Sequence, residues 1–180
     1  MRRRAPRPQK RGMGEAGAQR DVMTFERTLS QEALGILAVD LGLRAGFAFL
    51  SVAGEVLWCR SQHFANRSAI GRASWGVLQS CPAAGWVVVE GERALANAWR
   101  RAALKRGLGF CRVDAGQWRA ERWPQGAQRS GAWAKAQAVQ EATALLRRQG
   151  RPAVQPLRHD TAEAVLIGLW FAGQLASASG

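Results

Sequence analysis

Acidic side chains are scarce in this chain, and four of them stand where an apolar segment begins or ends. Asp40 and Glu90 each close an apolar run that reads as a strand. Asp160 and Glu163 open a third apolar segment, and their spacing of three residues places them on one face of a helix. Carboxylates without histidine or cysteine partners are typical ligands of hard divalent cations such as Mg²⁺ or Mn²⁺.

The two acids that open the last segment also have a simpler explanation. Acidic residues favour the first turn of a helix because of its dipole, and Asp160 and Glu163 alone fit that role. Asp40 and Glu90 lie at strand ends and lack this explanation. If all four side chains meet in one negative pocket, two cations about 4 Å apart could stabilise the oxygens of phosphoryl transfer. The pocket must stay open, so a guanidinium that closed it would argue against this function.

The charge balance indicates a polyanionic partner. Lysine and arginine number 26 against 13 acidic residues, which gives a formal net charge of +13. Arginine predominates, and its guanidinium pairs with phosphate in two-point geometry. Nucleic acid is therefore the expected substrate of a carboxylate site in this chain. A coding bias toward arginine is the alternative explanation of the same excess.

Composition also excludes several classes of protein. A hydrophobic content of 47% argues against wholesale disorder. Three widely spaced cysteines and two histidines argue against a zinc site. The apolar runs predict neither a membrane span nor a secretory signal, so we expect a cytoplasmic protein. The basic start of the chain leaves organellar targeting open.

Apolar periodicity predicts the element order β-β-β-α-β-α-β-α-α. The predicted strands are residues 36–40, 47–52, 55–64, 85–90 and 109–113, and the predicted helices are 68–80, 93–106, 131–149 and 160–174. Short glycine-containing returns predict that the first three strands are antiparallel. The fourth predicted strand shows no alternation of apolar and polar residues, as is typical of a strand buried on both faces. We expect residues 1–32 to form a basic, flexible arm and residues 33–180 to form one domain.

Three segments resemble the RuvC-type Holliday-junction resolvases, including their phage-like and chloroplast members. They are ILAVDLGLRAGFAFL at 36–50, WVVVEGE at 86–92 and HDTAEAVLIGLW at 159–170. These proteins carry D-x-G-x-x-x-G on strand one, a glutamate after strand four and D-x-x-D opening the last helix. Here Glu163 stands where an aspartate is commoner. The resemblance covers about residues 35–175. It implies an α/β, RNase H-like fold, with a five-stranded mixed sheet flanked by helices and its first three strands antiparallel.

The same resemblance implies a metal-dependent endodeoxyribonuclease of the crossover-junction type, from a bacterial or phage-type source. Such an enzyme is a homodimer that resolves four-way DNA junctions in recombination and repair, with two Mg²⁺ or Mn²⁺ ions in each active site. Asp40 would contact both ions, and Glu90 would hold one of them. Asp160 and Glu163 would hold the other, with His159 as a second candidate ligand.

Basic and aromatic side chains between the acidic motifs are the expected DNA contacts. Residues 116–142 resemble the stretch where the family places a tryptophan-containing turn and a lysine-bearing helix, so Lys135 would neutralise the reacting phosphate. A solvated helix face is the alternative for Lys135. The candidates for backbone contacts are Arg44, Arg93, Arg100, Arg101, Lys105, Arg119, Arg122 and Arg129. Trp118, like Trp123 and Trp133, could stack on an unpaired base, with core packing or a dimer contact as the alternative.

Three other functions compete with this interpretation. A YqgF-like RNA-processing nuclease shares the fold but usually lacks a glutamate directly after strand four, so Glu90 argues against it. An ATPase of the actin or sugar-kinase type needs two such domains, for which 180 residues leave no room. A catalytically inactive nucleic-acid-binding protein of the same fold stays open, because Glu163 departs from the family pattern.

Overall fold

A computed structural model describes residues 35–123, 130–151 and 156–178, and the arm expected at 1–32 lies outside these ranges. The strands are β1 Gly35–Asp40, β2 Arg44–Leu50, β3 Val56–His63, β4 Ala84–Glu90 and β5 Gly109–Val113. The helices are α1 Arg67–Gln79, α2 Arg93–Lys105, α3 Ala115–Arg122, α4 Gly131–Arg148 and α5 His159–Ala178.

The five strands form one mixed sheet in the order β3-β2-β1-β4-β5. β2 is antiparallel to both β1 and β3, whereas β4 runs parallel to β1 and β5 parallel to β4. Short returns join the antiparallel strands, and the helices α1 and α2 make the longer crossovers that parallel pairing requires. The predicted α/β class, with a five-stranded mixed sheet and three antiparallel leading strands, is confirmed.

Helices cover both faces of the sheet, which explains why the central strands read as unbroken apolar runs. On β1, Ile36 and Ala38 join a core formed with α3, α4 and α5. Leu37 and Val39 face the opposite way and join a second core with α1 and α2. Successive side chains of a strand point to opposite faces, so a strand between two helical layers must be apolar at every position.

The structure corrects the predicted start of β2. The strand begins at Arg44 rather than at residue 47, so Gly46, which the prediction left between two strands, lies within it. Ala45 pairs with Gln62 of β3, and Gly46 pairs with both β1 and β3. A glycine inside a paired strand often marks the close approach of another part of the backbone.

The sequence prediction missed the helix α3. Its eight residues are mostly polar or small and bury only Trp118, so they carry no apolar periodicity. A capping box forms it instead. The Asp114 side chain accepts from the Gln117 backbone N–H at 3.2 Å, and the Gln117 side chain accepts from the Asp114 N–H at 3.0 Å. The spacing D-x-x-Q is a recognisable helix start, and it was the available signal.

The last helix, α5, lies directly on the sheet. An added Cβ at Gly168 would lie 2.3 Å from Leu50 Cδ1, so the helix and β2 are in close contact there. Among the described helices, α5 alone is long and apolar enough to span a membrane by composition. More than half of that stretch is buried within the fold, as is usual for the core helix of a folded domain.

Candidate active site

The strand register brings Asp40 and Glu90 to adjacent positions at one edge of the sheet. Asp40 pairs with Gly46 of β2 on one side and with Glu90 of β4 on the other. Gly46 pairs in turn with Ser61 of β3. Neighbouring strands lie about 4.8 Å apart, so these four residues form a row roughly 15 Å long across the sheet.

Gly46 lets the last helix reach this row. An added Cβ at Gly46 would lie 1.9 Å from the carbonyl oxygen of Asp160, an overlap that any other side chain would have to relieve by moving α5. The first turn of α5 therefore rests on the β2 backbone, directly beside Asp40. The second glycine of D-x-G-x-x-x-G thus has a steric role, because it sets the distance between the helix acids and the strand acids.

Asp160 is held in place by two protein donors. Its Oδ2 accepts from Ser61 Oγ at 2.6 Å, and its Oδ1 accepts from the Thr161 backbone N–H at 2.8 Å. Its side chain is buried, and the Arg158 Nε lies 3.8 Å from Oδ2. Asp160 therefore accepts a hydrogen bond from the backbone of the first turn of α5 and also lies beside Asp40. Ser61 was not predicted, and nothing around it in the sequence distinguishes it.

Glu90 receives a hydrogen bond from α3. Its Oε2 accepts from Trp118 Nε1 at 2.6 Å, and the Trp118 ring lies 5.4 Å from that of Trp123, measured between centroids. Trp118 is fully buried and Trp123 nearly so. The structure therefore corrects the expectation that Trp118 stacks on a base, because its ring has no exposed face. The alternative of core packing is confirmed for both tryptophans.

Arg119, expected to contact the DNA backbone, instead lies between two of the acids. Its Nη2 donates to Glu163 Oε1 and lies 4.0 Å from Glu90 Oε1. The Glu163 side chain is 5% exposed, that of Glu90 14% and that of Arg119 21%. Glu163 is thus covered by a guanidinium, the arrangement that argues against an open pocket. The covering group is itself a partly exposed side chain.

Asp40 lies in the field of all three other acids. The pKa of Asp40 is raised from 3.8 to about 8, and burial is the largest cause. Three negative charges add to this rise, in the order Glu163, Glu90 and Asp160, and the positive charge of Arg119 opposes it. Burial also raises the pKa of Glu90, against the effects of its indole hydrogen bond and of Arg119. The four predicted acids therefore do come together, with Asp40 at their centre.

Their oxygens nevertheless do not surround a common point. Within residues 35–123, 130–151 and 156–178, no three Asp, Glu, His or Cys side chains are grouped so that they could hold a metal ion. The hydrogen bonds give the reason, because Glu90, Asp160 and Glu163 each already have a protein donor on at least one oxygen. The donor set has the chemistry that Mg²⁺ or Mn²⁺ prefers, but the side-chain arrangement does not fit an ion.

Two further predicted residues have side chains that form no ion pair with these acids among the described residues. Lys135 is exposed on α4, beside the buried Ala134. No ion pair among the described residues joins it to a carboxylate. His159 is the half-buried first residue of α5, and it does not contribute to the field at Asp40. Their catalytic and metal-binding roles stay predictions.

The basic residues predicted to contact DNA fall into two groups, one near the acids and one farther from them. Arg44 begins β2 and Arg93 begins α2, so both lie exposed at the edge of the sheet where Asp40 lies. Arg100, Arg101 and Lys105 are exposed farther along α2, about 10 to 18 Å from its start.

Two arginines of the segment that leads to α4 complete the predicted set. Arg122 is paired with Glu141 through Nε at 2.6 Å. Arg129 lies outside the described residues.

Comparison with known proteins adds no family assignment. The chain matches no protein-family model, and no curated protein matches it significantly. Its function must therefore be inferred from the chemistry and geometry of the acidic row.

Proposed function

We propose that this protein is a metal-dependent endodeoxyribonuclease with an RNase H-like fold, and that four-way DNA junctions are its substrate. One observation carries the proposal. Asp40 lies at the centre of the sheet edge, in the field of three other acids supplied by β4 and α5. The mixed sheet order and the position of α5 on β2 support the fold assignment.

The acidic cluster is costly for a protein without a function for it. Buried carboxylates that repel one another destabilise a fold unless protons, hydrogen bonds or cations compensate them. The hydrogen bonds of Trp118 and Ser61 and the ion pair of Arg119 compensate three of the acids. Burial and three neighbouring acids raise the pKa of Asp40 to about 8, and a divalent cation is the natural substitute for its proton.

The charge surrounding the site favours a nucleic-acid substrate. Arg44 and Arg93 are exposed at the same edge of the sheet, and Arg158 is exposed beside Asp160. Together with the net charge of +13, they would attract a phosphodiester backbone toward the acids. The preference for branched DNA, the homodimer and the two Mg²⁺ or Mn²⁺ ions rest on the resemblance of the three segments to RuvC-type resolvases. The cytoplasmic location rests on the apolar runs, which predict neither a membrane span nor a secretory signal.

A second function is favoured by one specific contact. Arg119 covers Glu163, and no group of described residues is arranged to hold a metal. A nucleic-acid-binding protein of the same fold without catalytic activity would keep Arg119 in this position permanently. The two functions differ in whether divalent cations can enter the site.

Cleavage of a synthetic four-way junction tests the proposal. We expect the purified protein to introduce symmetric nicks with Mg²⁺ or Mn²⁺, and to leave matched linear duplex, flap and RNA–DNA hybrid substrates intact. We expect Asp40→Asn to bind the junction and to leave it uncut, and wild-type-like cutting by this variant would contradict the proposal. Cleavage of the hybrid instead would indicate an RNase H-type activity, and binding without cleavage the second function.

A further inference from the structure

The strand β3 lies at the edge of the sheet, and among the described residues only β2 pairs with it. Just past its end, the Phe64 N–H donates to the Leu43 carbonyl oxygen at 2.7 Å. Bonded and non-bonded pairs alternate along an antiparallel ladder, so the even-numbered residues of β3 back to 58 bond to β2. The odd-numbered residues turn their backbone N–H and C=O groups outward, and these residues are Cys59, Ser61 and His63. Outside the sheet ladder, no hydrogen bond between described residues uses these backbone groups.

One side chain already takes the place of a further strand at the start of this edge. The Gln149 carboxamide accepts from the Val56 N–H at 2.9 Å and donates to the Gly54 carbonyl oxygen at 3.1 Å. One residue of a parallel neighbouring strand would make the same two bonds. Arg151 Nη1 donates to the carbonyl oxygen of Leu57 at 2.8 Å. The start of the edge is therefore occupied, whereas its later part offers the backbone groups that a bound strand needs.

A groove of about 590 Å³ lies beside this edge. β3 supplies one wall with Val56–Ser61, and the nearly buried Leu146 and Leu157 belong to the opposite wall. The side chain of Cys59 packs on this face, against the core formed with α4 and α5. Successive side chains of a strand point to opposite faces, so a strand added to β3 would direct every second side chain into the groove. These positions favour apolar residues.

The opposite face of the edge carries a positive charge. Arg60 is exposed, and its guanidinium lies 5.2 Å from the ring of Trp58, which packs against the core formed with α1 and α2. No ion pair among the described residues involves Arg60. Arg158, 47% exposed, adds a second charge at the groove, and none of the described residues that line the groove is acidic. An added strand would therefore favour aspartate or glutamate opposite Arg60.

We propose that the edge of β3 binds an extended acidic peptide of a partner protein, which adds a sixth strand to the sheet. Apolar side chains of this peptide enter the groove, and the acidic side chains that alternate with them pair with Arg60. A second copy of this chain fits poorly, because each copy has a net charge of +13 and β3 contains no acidic residue. A nucleic-acid strand has the charge but lacks the regular row of backbone donors and acceptors. The proposal goes beyond the proposed nuclease function and does not depend on it.

Amide hydrogen exchange of the full chain, followed by NMR, tests strand addition directly. The probe is an eight-residue peptide in which valine and glutamate alternate, and its control has the same composition with valines and glutamates in separate blocks. We expect saturating alternating peptide to slow exchange at Cys59, Ser61 and His63 by at least about tenfold, and the block peptide to leave it within about twofold. Unchanged exchange at all three amides with the alternating peptide would overturn the proposal.

Two arginine variants test the charge. Fluorescence anisotropy of the labelled alternating peptide would compare Arg60→Gln with Arg72→Gln, which changes the net charge equally. Arg72 is exposed on α1 and does not line the groove. We expect Arg60→Gln to weaken binding about five- to tenfold and Arg72→Gln to stay within about twofold. Equal effects of the two variants would mean unspecific attraction and would overturn the proposal.

A proline substitution tests the backbone contact. Cys59→Pro removes one outward N–H and leaves the bonds to β2 in place, and proline is tolerated at such positions of an edge strand. Cys59→Ala is the control, because it changes the same side chain and keeps the N–H. We expect the proline variant to bind the peptide at least about tenfold more weakly than the alanine variant, and equal affinities would contradict strand addition. If circular dichroism shows that the proline variant does not fold, the exchange and Arg60→Gln experiments still decide the case.

The other two occupants would give different results. Slow exchange at the three amides without peptide, increasing with protein concentration, would assign the edge to a second copy and overturn the proposal. Slow exchange with a single-stranded oligonucleotide, but not with the alternating peptide, would assign it to nucleic acid and overturn it as well. Junction cleavage has no bearing on either result, so the failure of this proposal and that of the proposed function are distinguishable.

Discussion

Replacing Asp40 by asparagine should stabilise the fold at neutral pH when divalent cations are removed. Burial and three neighbouring acids raise the pKa of Asp40 to about 8, against 3.8 for the free side chain. Asparagine has nearly the same shape but never ionises. The substitution therefore removes the cost of the acid and little of the packing.

The direction and size of the effect follow from the two pKa values of Asp40. Below pH 3.8 the carboxyl is protonated in both the folded and the unfolded chain, so it carries no penalty. Between pH 3.8 and about 8 the unfolded chain releases the proton and the folded chain retains it, so stability falls as the pH rises. At pH 7 the loss is on the order of 4 kcal/mol, which corresponds to roughly 10 °C in Tm for a chain of this size.

Thermal unfolding followed by circular dichroism at pH 5, 6, 7 and 8 with EDTA would measure this effect. We expect Asp40→Asn to have the higher Tm, with a gap that widens from pH 5 to pH 8. Glu55→Gln is the control, because Glu55 is an exposed acid paired with Arg151, and its gap should not grow. A gap for Asp40→Asn that stays constant with pH, or a lower Tm at pH 8, would refute the reasoning.

Three further variants test how the site is built and where DNA binds. Gly46→Ala should cost about 2–4 kcal/mol of stability in chemical denaturation, because its Cβ would overlap the Asp160 carbonyl. Gly173→Ala is the control, since an added Cβ there meets nothing within 4 Å. Equal costs for the two variants would contradict the close contact at Gly46. Trp118→Phe should cost about 1–3 kcal/mol in the same assay by removing the buried donor to Glu90, more than Trp170→Phe, whose bond to Glu121 is exposed. If Arg44 and Arg93 contact phosphates, binding of the junction should depend less on salt when both are replaced by glutamine. The slope of log K against log salt concentration should fall in magnitude by about 2. An equal effect of the double variant at Arg100 and Arg101 would place the DNA elsewhere.

The strand acids were predictable from the sequence because local pattern and pairing determine their positions. An apolar run that ends in an acid predicted the ends of β1 and β4, and parallel pairing then placed Asp40 beside Glu90. The antiparallel return after Asp40 followed from its glycines. The role of Gly46 did not, because its close neighbour, Asp160, is 114 positions later in the chain.

The surroundings of the acids were not predictable in the same way. Trp118 meets Glu90 across 28 positions, Arg119 meets Glu163 across 44, and Ser61 meets Asp160 across 99. These contacts depend on the placement of α3 and α5 on the sheet, which no short-range pattern encodes. The capping box of α3 was a readable signal, but it predicts a helix rather than the direction in which Arg119 points.

Anomalous diffraction from crystals of the full chain grown with Mn²⁺ would test the metal site most directly. We expect an anomalous peak within bonding distance of Asp40 and Glu90. Crystals that diffract well with millimolar Mn²⁺ but show no peak beside Asp40 would contradict a metal-dependent nuclease.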